Sequence, residues 1–217
     1  MTKQLSFSNI RFKDLKAIAP IEQSANEVVF EDWFNYPYEF NEEEIAFLTD
    51  LIVRNRLKIN AYTEEELKAK FLIPLLNKVD FVKGEVSDWY ERNIRGKING
   101  VEIGGVTDFM VAKGVKEPET PYFYIQEFKP SKPSVFPEDQ LLAELMVSVE
   151  LEGKQSMKGA YIVGQFWTFV ILEKQPNGSF ILYLAPSLDA LKLEDLQEIY
   201  KHLKAVKAEI LEKVSQQ

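Results

Sequence analysis

Two hydrophobic periods divide the chain. Asn41 followed by Glu42-Glu43-Glu44 is a capping box, with Asn41 as N-cap and Glu44 at the third helical position. Ile45, Leu48, Leu51, Ile52 and Leu57 then recur at helical spacing and predict a first long helix. Thr63-Glu64-Glu65-Glu66 repeats the signature and opens a second helix, whose stripe is Leu67, Phe71, Leu72, Leu75 and Leu76. Pro74 should kink that helix or mark its last turn. From residue 79 to 112 the pattern turns to strands, anchored by Phe81, Trp89, Tyr90 and Ile94, with Asn99-Gly100 as a two-residue hairpin signal. Gly104-Gly105 suggests a bulge or a close backbone approach. A loop over 113–121 leads to a strand over 122–129, and the prolines at 130, 133 and 137 hold the next segment extended. The segment 138–151 is apolar on most sides and predicts a buried helix. Strands over 160–173 and 179–185 follow, joined by Pro176-Asn177-Gly178. Leu196, Ile199, Leu203, Val206 and Ile210 mark a long amphipathic C-terminal helix. The expected fold class is α/β (α+β), a mixed central sheet flanked by helices.

Chemistry concentrates between residues 101 and 151. Along the strand YFYIQEFK, Glu127 and Lys129 point to one side with Phe123 and Ile125, and Tyr124, Gln126 and Phe128 point to the other. Asp108 lies on the preceding strand, where antiparallel pairing would bring its carboxylate beside Glu127. Two acids and a lysine in one apolar neighbourhood are costly unless they pair with one another or hold a metal. Gln140 stands in the first turn of the buried helix that follows and needs a polar neighbour.

The order Asp108, then Glu127-Phe128-Lys129, then a helix with Gln140, resembles the PD-(D/E)XK nuclease superfamily, the restriction-endonuclease-like fold. As a pattern of elements the resemblance covers roughly residues 60–185. Thr107 stands where the motif has its proline. The phrase TEEELKAKFLIPLLNKV is similar to the helix that precedes the catalytic sheet in the N-terminal nuclease domain of type I restriction subunits. The resemblance implies Mg²⁺- or Mn²⁺-dependent hydrolysis of nucleic-acid phosphodiester bonds. It implies a metal held by Asp108, Glu127 and the Phe128 backbone carbonyl, with Lys129 at the attacking water and Gln140 orienting a water or ligand. A glutamate of the preceding helix, Glu65 or Glu66, could join that site, although capping and the helix dipole explain all three glutamates without it. The same fold can instead serve as a catalytically inactive module for nucleic-acid or protein binding, and the three charges can be a structural ion cluster.

Composition narrows this further. Of 217 residues, none is cysteine and one, His202, is histidine. Disulfides, thiolate zinc sites and Ser-His-Asp or Cys-His mechanisms therefore drop out. His202 reads as a bland residue of a surface helix. No Gly-rich phosphate loop occurs. The net charge of −8 opposes phosphate binding, but eight of the 34 acidic residues fall between 22 and 44 without a single Lys or Arg. Setting those aside leaves 26 acids against 26 bases, so a nucleic-acid groove must come from local clusters such as Arg92, Arg95 and Lys97, or Lys113, Lys116 and Lys132. DNA is the expected partner. The acidic, aromatic residues 1–40 read as an N-terminal extension before a domain over 41–217. That extension would pack on the core, on a second copy or on another protein, or would mimic nucleic acid over a basic groove. The polar start and the lack of a long apolar run point to a cytoplasmic protein without a membrane span.

Overall fold

The computed structural model describes residues 4–133 and 137–215. Among these, nine strands form one mixed sheet with helices on both faces. Its backbone is the hairpin of β3 (Val86–Ile98) and β4 (Val101–Lys113), closed by Asn99 and Gly100, both at positive φ. This is the two-residue turn that Asn-Gly favours, since both central positions need left-handed backbone. The far edge of β4 is shared between β1 (Gln4–Ser6), parallel at residues 102–104, and β5 (Glu119–Lys129), antiparallel at residues 109–113. Beyond β5 come β6 (Ser156–Val163), β7 (Phe166–Lys174), β8 (Phe180–Leu184) and β2 (Ile21–Ser24), with β9 (Leu188–Asp189) pairing the start of β7. The stretch expected as one strand over 160–173 is two. Gly164, at φ +59°, opens a turn with Gln165 that folds β7 back on β6.

One face of the sheet carries α6 (Pro137–Glu152), which packs Leu141, Leu145 and Val149 over Ile125, Ile94 and Met110. The other carries α3 (Glu42–Asn55), α4 (Glu64–Leu67), α5 (Ile73–Val79) and α7 (Leu193–Ser215) over Phe109, Tyr124, Phe128 and Phe169. A π-turn over 68–72 joins α4 to α5. Pro74 has no N–H for the carbonyl of Lys70, four residues back. The buried Asn55 amide donates to that carbonyl instead, at 3.4 Å, while also donating to the Leu51 carbonyl and accepting from the Tyr62 hydroxyl. One side chain thereby repairs the proline break and pins α3 to it.

Residues 4–40 are woven into this core. They supply a parallel strand at each end of the sheet path, and α1 (Phe12–Lys16) and α2 (Glu31–Phe34) add Leu15 and Trp33 to the two apolar layers. Gly105 permits this on one side. A Cβ there would lie 3.0–3.3 Å from the Phe7 ring, so the pair of glycines marks a close approach. His202 is not on the surface: it is 3% exposed, with its ring stacked on Phe34 at 3.8 Å and 8°. Among the described residues no helix is long and apolar enough to cross a membrane.

Candidate functional site

The antiparallel register of β4 and β5 runs Val111↔Tyr124, Met110↔Ile125 and Phe109↔Gln126. Continued by one residue, it sets Asp108 opposite Glu127, with both side chains on the α6 face. The structure thus brings Asp108, Glu127 and Lys129 together at the end of β5. Lys129 Nζ is hydrogen-bonded to Glu127 Oε1 and, at 2.9 Å, to the Phe128 carbonyl, and lies 3.7 Å from Asp108 Oδ2. The Phe128 backbone N–H donates to Asp108 Oδ2 at 2.8 Å, which fixes that carboxylate against β5.

Four residues that the sequence reading did not assign to the site complete the cluster. Glu64, at the first position of α4, is the glutamate of that helix that reaches the site, 3.6 Å from Lys129 Nζ. Glu65 and Glu66 do not. Glu66 at the third position is consumed by the cap with Thr63 and by Lys70 at 2.5 Å, and both glutamates face water. Lys68, one turn after Glu64, places its ammonium 2.8 Å from Asp108 Oδ1, 3.1 Å from Glu64 Oε1 and 3.6 Å from Glu91 Oε1. Glu91 is at φ +53°, facing the middle of β4 where the β3 pairing skips from Tyr90 to Arg92. The fourth addition is Glu144, fully buried in the middle of α6. Gln140, one turn before it, donates its amide to Glu144 Oε1 at 3.1 Å.

Charge explains the ionisation. Leaving aside the exposed Glu91, four buried or half-buried carboxyls, Glu64, Asp108, Glu127 and Glu144, face two ammonium groups, and a buried net charge of about −2 is untenable in a low dielectric. Protons make up the deficit. Burial first, then the neighbouring Asp108, pushes Glu127 up to about 9. Burial and then Glu127 push Glu144 well above the usual carboxylate range. Burial alone would lower Lys68 and Lys129, but the carboxylates against them hold both above the ordinary lysine value.

The donor set is all oxygen and suits a hard cation such as Mg²⁺ or Mn²⁺. Glu127 Oε2 and Glu144 Oε2 are buried and have no hydrogen-bond partner, a condition a cation would relieve. As the side chains stand, the lysines hold the other oxygens, and among the described residues no three acidic or histidine side chains are arranged as a metal cage. The residues fit the ion by chemistry; the ammonium groups stand among its ligands.

Two residues of the expected basic clusters have partners of their own. Arg95 is paired with Glu102 at 2.6 Å, and the Arg92 guanidinium lies over the Trp89 ring at 5.4 Å. Lys97, Lys116 and Lys132 are exposed. Residues 134–136 of the loop after β5 lie outside the described residues.

No protein-family model and no curated protein matches the chain. Among solved structures, that of SSO0001 is similar over 83% of this chain and 87% of its own, at 17% identity and a TM-score of 0.25, too loose a superposition to carry an argument.

Proposed function

We propose that the chain is a divalent-cation-dependent nuclease that hydrolyses phosphodiester bonds, with DNA as its substrate. The observation that supports this most is the convergence of Asp108, Glu127 and Lys129 at one strand end, with Lys129 hydrogen-bonded to Glu127 and the intervening carbonyl and 3.7 Å from Asp108. Asp108, Glu127 and the Phe128 carbonyl would hold Mg²⁺ or Mn²⁺, which when bound lowers the pKa of a coordinated water and offsets charge on the scissile phosphate. Lys129 would hold the attacking water by hydrogen bond and neutralise charge developing on the phosphoryl oxygens. The Phe128 N–H keeps Asp108 oriented. Gln140 contributes by fixing Glu144 beneath the site, since its amide is already committed there.

A second reading has its own support. Lys68 and Lys129 already neutralise much of the acidic cluster, as in a structural ion network or an inactive binding module. Cleavage assays on single- and double-stranded DNA and RNA with Mg²⁺, Mn²⁺ or a chelator separate the two. The nuclease reading expects metal-dependent cleavage that Lys129→Ala abolishes while the fold, read by circular dichroism, persists. Undiminished metal-dependent cleavage by Lys129→Ala defeats the assignment of roles. A melt with and without Mn²⁺ adds a second arm: Asp108→Asn should remove the stabilisation that mass action gives the wild type.

A further inference from the structure

The acid cluster contains a cation of its own. Lys68 contacts Asp108 Oδ1, and its ammonium sits among carboxylates from three elements: Glu64 on α4, Glu91 on β3 and Asp108 on β4. Its side chain is 14% exposed. The three carboxylates are gathered around the ammonium, not around an ion, yet they are the oxygen donors a small doubly charged ion takes once that ammonium leaves. A divalent ion satisfies two carboxylate charges at once and takes six or more oxygen ligands, whereas an ammonium offers three hydrogen bonds. A separate observation points the same way. Glu127, against Asp108 on the same face, is fully buried and has one oxygen with no partner, so the lysines do not saturate the site.

We propose that Lys68 is a resident competitor for the divalent cation, and that Glu64 and Glu91 extend the cation position built on Asp108. The inference rests on the reading of this site as a metal-binding one, and it adds the residue that governs occupancy. Entry of the ion costs the Lys68–Asp108 contact, so affinity is set low, and the released ammonium, on a four-carbon tether beside the site, becomes free to meet a substrate phosphate. A doubly charged ion and an ammonium cannot share the Asp108 oxygens: at about 4 Å in an effective dielectric of ~20 their repulsion is on the order of ten times thermal energy or more.

The test measures Mn²⁺ affinity, by thermal-shift titration of the full chain, in wild type, Lys68→Met and Lys68→Met/Glu91→Gln. Methionine keeps the apolar stem and removes the charge. Lys68→Met should bind Mn²⁺ at least about tenfold more tightly than wild type, a modest share of what removal of one adjacent unit charge gives at this range. Glu91→Gln in that background should weaken it again. Equal or weaker binding by Lys68→Met overturns the proposal, and an unchanged affinity on adding Glu91→Gln removes Glu91 from the cradle. A second readout needs no variant. Acylation of Lys68 in the wild-type chain, followed by mass spectrometry, should accelerate several-fold with saturating Mn²⁺, and unchanged labelling at a Mn²⁺ level that shifts the melt also overturns it. The outcomes separate from those of the catalytic reading. A chain that binds Mn²⁺ more tightly without Lys68 yet cleaves nothing upholds the competitor and defeats the nuclease. Cleavage with no gain in Mn²⁺ affinity does the reverse.

Discussion

Glu144 is the residue whose replacement tests the electrostatic account most directly. It lies at the centre of α6 with no exposure, one oxygen bonded to Gln140 and the other without a partner. Glu144→Gln keeps the shape and the oxygen that Gln140 contacts, and it removes the titrating group. Below about pH 4.3 the wild-type side chain is protonated in folded and unfolded chains alike. Above that value the unfolded chain releases the proton while the fold retains it, because burial and Glu127 hold the native carboxyl well above its ordinary range. The folded state then binds more protons than the unfolded one, so stability falls as pH rises. The slope is ~1.4 kcal/mol per pH unit for one proton. Between pH 5.5 and 7.5 the variant should therefore gain roughly 2–3 kcal/mol relative to wild type. In a chain of this size that corresponds to roughly 4–12 °C in Tm, with the variant the more stable protein at pH 7.5. Urea denaturation of both proteins at half-unit intervals of pH measures it. A difference in stability that stays constant across the window refutes the claim that Glu144 is held protonated, and with it the account in which protons offset the excess of carboxyls over ammonium groups.

Two further predictions concern residues away from the cluster. His202 is held down to about 3 by burial first and Lys201 second, so the unfolded chain takes up a proton below about pH 6.5 that the fold refuses. Stability should drain away as pH falls, and His202→Phe, which retains a ring against Phe34, should recover roughly 2–3 kcal/mol between pH 6.5 and 4.5 in the same assay. Asn55→Ala removes the donor to the Lys70 carbonyl and the acceptor of the Tyr62 hydroxyl. It should cost about 2–4 kcal/mol, read as a lower urea midpoint at unchanged slope.

What was legible in the chain follows from how local each signal is. The Asn41 and Thr63 caps, the Asn99-Gly100 turn and the apolar α6 each depend on a few neighbouring residues, and each stands where its pattern put it. Opposition of Asp108 and Glu127 was also within reach, because a hairpin register converts strand positions into neighbours. Residues 160–173 were harder, since an unbroken apolar run hides a two-residue turn that only Gly164 and Gln165 mark. Glu64 was masked by its neighbours. Once Thr63 and Glu66 close the capping box, helix phase alone turns Glu64 and Lys68, four residues apart, toward the sheet while Glu65 and Glu66 face water. That i, i+4 pair and its equivalent in α6, Gln140 and Glu144, were the available signals. Glu91 offered none, because its left-handed backbone belongs to the β3–β4 pairing and not to its own neighbours.

The distribution of charge ties these observations together. A site meant only to bind phosphate would be expected to present cations, yet this one gathers four carboxyls behind two lysines and leaves the arginines of β3 engaged elsewhere. Such a cluster repels a phosphodiester until positive charge is added. Protons supply some of it, but they sit on Glu127 and Glu144, buried against α6, and leave the ammonium groups of Lys68 and Lys129 bound to Asp108 and Glu127. A divalent cation in the proposed position would act differently, because it replaces an ammonium at the carboxylates and frees that ammonium for the substrate. On this account the surplus of acid over base is what would make phosphate recognition conditional on the ion, so that a chain of net charge −8 can engage nucleic acid at one place without attracting it everywhere.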